Sequence, residues 1–102
     1  MIAPLLALVL HISPAGTEYA VKAHGAPRAT VQLKAENVPH GWVAAFCTAT
    51  LCSPFAYALP LDEKGDGQIH MRLIRTDDAA PHRLRISVTA PGASPVFISA
   101  LR

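Results

Sequence analysis

The chain has 102 residues, with nine Lys and Arg against seven Asp and Glu and a formal net charge of +2. That length fits a single domain, and so small and dispersed a positive balance excludes an electrostatic footprint for nucleic acid. Hydrophobic residues at 51% and charged residues at 16% exclude a disordered chain, which needs the opposite bias.

The first seventeen residues contain no Lys, Arg, Asp or Glu; every formal charge lies from Glu18 onward. Within that stretch Pro4 to Ile12 (PLLALVLHI) is apolar apart from His11. It is shorter than the roughly 20 apolar residues that a membrane span needs, but it matches the apolar part of a secretory leader. Ser13-Pro14-Ala15 then supplies small residues for cleavage before Gly16. Residues 1–15 are therefore expected to be a signal peptide and residues 16–102 the domain. The competing reading makes Leu6 to Ile12 the first buried strand.

Beyond the leader, nine prolines and six glycines leave no clean run for a helix longer than about two turns. Alternation of apolar and polar residues marks half-buried strands. In Arg28 to Glu36, Val31, Leu33 and Ala35 share one face. In Gln68 to Leu73, Ile69, Met71 and Leu73 point inward, with Gln68, His70 and Arg72 outward. In Arg83 to Val88, Leu84, Ile86 and Val88 oppose Arg83, Arg85 and Ser87. Weaker strand patterns cover Tyr19 to Ala23, Trp42 to Cys47, Phe55 to Leu59 and Pro95 to Leu101. Turn residues separate them at 24–27, 39–41, Ser53-Pro54, 63–67, Asp77 to Pro81 and Pro91-Gly92. About seven short strands at regular spacing predict an all-β antiparallel sandwich.

Cys47 and Cys52 frame a four-residue segment (CTATLC). An even cysteine count in a short exported chain favours a disulfide, and closing six residues contributes about 2 kcal/mol in the loop-entropy model. A redox-active pair is the alternative, although the spacing is not C-x-x-C. No Lys, Arg or His lies beside the sulfurs in sequence to favour a thiolate. A zinc site lacks further ligands at paired spacing.

Asn37-Val38-Pro39-His40-Gly41-Trp42, followed by Phe46-Cys47 and Cys52-Ser53-Pro54, resembles the immunoglobulin-like β-sandwich domains of bacterial exported and cell-surface proteins. A Gly-containing turn and a strand like Gly67 to Leu73 complete the likeness, which extends over Glu18 to Leu101. Relatives of that kind include cell-adhesion-related and glycosidase-associated accessory domains. The resemblance implies an immunoglobulin-like fold, an exported location and a structural or binding role, and it brings no catalytic residues. On that fold the core comprises Val31, Leu33, Trp42, Phe46, Ile69, Met71, Leu84, Ile86 and Val88. Trp42 is expected as the plug between the sheets and the cysteine bridge at one edge.

Other patterns are weaker. Asp62 to Ile69 partly imitates a calcium loop, but Lys64 stands at a ligand position and Leu73 replaces the closing Glu. His70 and Met71 are neighbours on a strand and so face opposite sides, which argues against a copper site. No serine sits in a nucleophile elbow, and Asp62-Glu63 and Asp77-Asp78 read as solvated turn acids. Arg72, Arg83 and Arg85 would form a modest basic binding surface if their strands paired, with Asp77 and Asp78 offsetting part of it. The chain is thus expected to be a non-enzymatic, secreted or periplasmic structural or protein-interaction module without a cofactor. Its partner would be another envelope protein or a glycan. The alternative is a periplasmic thiol–disulfide or metal-handling protein using Cys47 and Cys52.

Overall fold

The computed structural model describes residues 8–76 and 83–101. Among these residues nine strands follow in order: β1 (Val9–Ala15), β2 (Glu18–His24), β3 (Thr30–Glu36), β4 (Trp42–Cys47), β5 (Cys52–Pro54), β6 (Ala56–Pro60), β7 (Asp66–Arg75), β8 (Arg83–Thr89) and β9 (Val96–Leu101). No helix occurs among the described residues. The strands form a five-stranded sheet in the order β1-β2-β7-β4-β5 and a four-stranded sheet in the order β6-β3-β8-β9, with antiparallel pairing throughout. Without β5 and β6, the remaining seven run β1-β2-β7-β4 and β9-β8-β3. That is the A-B-E-D and G-F-C order of a constant-type immunoglobulin sandwich. The two extra strands widen one side, β5 beyond β4 and β6 beyond β3.

The passage from β5 to β6 is made by one residue. Phe55 adopts φ +65°, a left-handed conformation uncommon for a bulky side chain. Its N–H donates to the Ala44 carbonyl at 2.7 Å, and its own carbonyl accepts from the Ala35 N–H at 2.8 Å. Phe55 is thereby bonded to a strand of each sheet, which turns the chain from one layer to the other. Between β6 and β7 the turn is organised by Asp62, whose Oδ1 accepts the N–H groups of Lys64 (2.8 Å) and Asp66 (2.9 Å). These bonds hold the Asp62 carboxyl below the usual carboxylate range, the Asp66 N–H having the largest effect. The segment that imitates a calcium loop therefore uses that oxygen as the acceptor of an Asx turn.

All nine expected core residues are buried. The inward apolar residues of β3, β7 and β8 are those that alternation assigns, and they meet Tyr19 and Val21 from β2, Leu59 and Leu61 around β6, and Ile98 from β9. Ser87, expected on the solvent side of β8, is instead buried, its hydroxyl accepting from Asn37 Nδ2 at 3.2 Å. The largest fully buried side chain is Phe46, with Leu33, Met71, Leu84 and Ile86 also enclosed. Trp42 is buried too, but as the first residue of β4 it closes one end, with the Arg75 guanidinium 5.9 Å from its ring centroid. The central plug is Phe46, which shares the inward face of β4 with Trp42 and Ala44 and is fully enclosed.

Two strands exceed the expected seven. Ser53-Pro54 reads locally as a turn but belongs to β5, which Ser53 and Cys52 pair to Phe46 and Cys47. Residues 9–15, within the expected leader, form β1; it pairs with β2 along its length, and Leu10 enters the core. The turn expected at Asp77 to Pro81, the acids Asp77 and Asp78, and His82 lie outside the described residues.

Candidate functional site

The hairpin joining β4 to β5 has Ala49 and Thr50 at its tip. The Thr48 N–H donates to the Leu51 carbonyl at 2.7 Å, and Thr48 Oγ1 accepts the Leu51 N–H at 3.1 Å. This closing pair sets Cys47 directly opposite Cys52, and the two are joined by a disulfide with Cα atoms 4.0 Å apart. The expected bridge is present, within one sheet at its outer edge. Its two ends differ: Cys47 is only 7% exposed, whereas Cys52 lies on the exposed edge strand.

On the other side of β4 the register places His70 of β7 opposite Cys47 and Arg72 opposite Ala45. Directly opposed residues in an antiparallel pair carry their side chains on the same face, with Cβ atoms about 5 Å apart. One row across the sheet therefore reads His70, Cys47, Cys52. His70 and Arg72 are both fixed by Glu18 at the start of β2. Arg72 Nε donates to Glu18 Oε1 at 2.8 Å and Nη2 lies 2.7 Å from the same oxygen. His70 Nδ1 is 3.2 Å from Oε2 and, facing a carboxylate, is the donor. The Arg72 hydrogen bond is the main reason that the Glu18 carboxyl sits below the usual range, with His70 adding to it. Glu18 therefore stays ionised. A cleft of about 630 Å³ opens beside this group and is lined by Cys47, Tyr57, Leu59, Glu18, His70 and Arg72.

Sequence reasoning does not find this cluster. Its members lie 52 and 54 residues apart, and only the β2–β7–β4 registers bring them together. The outward direction of His70 and Arg72 was legible from alternation; their neighbours were not. Met71, beside them in the chain, is fully buried on the opposite face.

The three arginines do not form one surface. β7 is flanked on both edges by β2 and β4, so it has no free side to pair with β8. Arg72 lies on the outer face of the five-stranded sheet. Arg83 and Arg85 lie on the outer face of the four-stranded sheet, on the far side of the sandwich. Arg72 is held by Glu18, and the Arg85 guanidinium stands 5.3 Å from the Phe97 ring centroid. A second pair on the five-stranded face joins His24 Nδ1 to Asp66 Oδ1 at 2.6 Å. Among the described residues no three His, Cys, Asp or Glu side chains converge as metal ligands, and no helix is long and apolar enough to cross a membrane. No family model, curated protein or solved structure matches the chain.

Proposed function

We propose that this chain is a non-enzymatic, exported interaction module that takes up an extended segment of another envelope protein along β9. The observation that carries this reading is the contrast among the four sheet edges. β1 contains Pro14, β5 is three residues long and ends in Pro54, and β6 ends in Pro60. Shortness and proline are standard protections against strand addition. β9 runs Val96-Phe97-Ile98-Ser99-Ala100-Leu101 with no charge, proline or glycine. Its Phe97 is 53% exposed, with Arg85 beside the ring. A strand laid against this edge gains backbone hydrogen bonds, and alternate side chains supply specificity. The matching partner is an extended, uncharged segment with an apolar residue placed to meet Phe97.

Export is supported by the bridge, since disulfides persist in oxidising compartments, and by the apolar stretch before Glu18. Cleavage after Ala15 would remove β1 and leave β2 as an edge, whereas retention keeps Leu10 in the core. N-terminal sequencing of the exported protein separates the two.

The binding reading is tested with a photo-crosslinking residue placed at Ser99 on β9 or at Thr17 in the exposed β1–β2 turn. Adducts with a second protein at Ser99 alone are expected. Equal adducts at both positions, none at either, or only adducts of the chain with itself would overturn the proposal.

A further inference from the structure

We infer that the Cys47–Cys52 bridge is an exchange site for an external dithiol, with Cys52 as the sulfur attacked and Cys47 as the sulfur released beside His70. This inference is independent of β9, which lies at the opposite side of the other sheet.

Three features assign the roles. The first is access. β5 is the outermost strand of its sheet, so among the described residues no strand lies beyond Cys52 and a thiolate can approach from past the edge. Cys47 is 7% exposed and is shielded from such an approach. The second is the leaving group. A buried thiolate is disfavoured by desolvation unless a positive or proton-donating group meets it. By register that group is His70, directly opposite Cys47. The third is orientation. Glu18 fixes Nδ1 of His70, which leaves Nε2 as the ring nitrogen that Glu18 does not engage, and Arg72 holds Glu18 in place. The groups facing His70 are Glu18 from β2, Arg72 from β7, Cys47 from β4 and, across the cleft, Tyr57 from β6.

In the exchange, one thiolate of the dithiol bonds to Cys52 Sγ while the S–S bond breaks. Its electron pair leaves on Cys47, and that thiolate is met by His70. The second thiol of the dithiol, as a thiolate, then displaces Cys52 from the mixed disulfide. The dithiol departs as a disulfide, oxidised by two electrons, and the chain holds two thiols. A thiolate leaves faster when its neighbours stabilise it. Glu18 is a positioning residue, because it acts through His70.

The test uses the full oxidised chain under native conditions. Glutathione serves as a trapping thiol, with alkylation and peptide mapping, and dithiothreitol serves for rates. The expected trapped species carries glutathione on Cys52 and the alkyl label on Cys47. His70→Gln is expected to slow reduction by dithiothreitol about tenfold while the oxidised protein keeps its melting temperature. Glutathione on Cys47, or reduction no faster than global unfolding, overturns the exchange site. An unchanged rate in His70→Gln removes His70 from it. The adduct map on the unmodified chain decides the direction of attack even if the variant does not fold.

Discussion

Replacing Gly65 by Ala isolates one backbone contact that holds the β6–β7 turn against the β2–β3 turn. Gly65 has φ +84°, and a Cβ built there would stand 2.1 Å from the Gly25 carbonyl oxygen. The left-handed conformation itself costs a non-glycine residue about 1–2 kcal/mol. A 2.1 Å approach to backbone oxygen cannot be relieved by a rotamer change, so the two turns must separate. That separation stretches the bond from the Gly25 N–H to the Gly65 carbonyl, now 2.9 Å. Both glycines are buried, and a buried backbone donor left without its acceptor costs about 1–3 kcal/mol. The sum is roughly 2–5 kcal/mol, a large share of the stability of a domain this size. At about 4–8 °C per kcal/mol it lowers Tm by about 8 °C or more. The control is Gly92→Ala, at φ +85° with nothing within 4 Å of the added carbon, which incurs the conformational cost alone. Urea unfolding followed by fluorescence of the buried Trp42 measures both variants. If the two cost the same to within about 0.5 kcal/mol, the contact between the turns is not what Gly65 serves.

Three other outcomes follow from the same geometry. Replacing Cys47 and Cys52 together by Ala should cost about 2 kcal/mol with the sandwich retained, because only a six-residue loop is released; equilibrium unfolding measures it, and a collapse of the fold would contradict the peripheral placement of β5. Phe46→Ala should cost about 3–5 kcal/mol and Phe97→Ala under about 1 kcal/mol, since Phe46 is fully enclosed and Phe97 is 53% exposed; near-equal losses would refute Phe46 as the plug. Asp62 titrates lower in the folded chain than in the unfolded one, so its stabilising effect is present above about pH 4 and is lost as pH falls through the folded value. Asp62→Asn should therefore flatten the acid limb of the stability curve below about pH 5, and an unchanged slope would mean that its turn bonds do not couple to folding.

The bridge and the Glu18 cluster together show how a local reading can miss chemistry that lies next to it. The sequence around Cys47 and Cys52 contains no basic residue, and on that ground a structural disulfide is the natural expectation. The environment of Cys47 is set instead by β7, which pairs with β4 across 23 residues of chain. His70 and the cysteine row acquire a joint chemical meaning only through that pairing. In the same way, an uncharged β9 is unremarkable as a sequence; it becomes notable when the other three edges prove to be blunted.

Period-two alternation by itself determined the strands β3, β7 and β8 and the inward residues of each, because in extended backbone successive side chains must point to opposite faces. The core places of Phe46 and Trp42 followed from the expected sandwich, and the Cys47–Cys52 bridge from the even cysteine count; that the two cysteines stand directly opposite each other came only with the β4–β5 pairing. Alternation did not determine β5, whose three residues include Ser53 and Pro54 and are too few to show a period. The apolar run before Glu18 has the same composition whether it serves as a leader or as β1, so its role in the sheet had no separate signature. The division of strands between layers was decided only by tertiary structure, since pairing depends on which edges are already occupied. With β2 and β4 on either side of β7, Arg72 is parted from Arg83 and Arg85 by the thickness of the sandwich. The same two pairings set His70 against Cys47 and Glu18, and no pattern along the chain specifies that register.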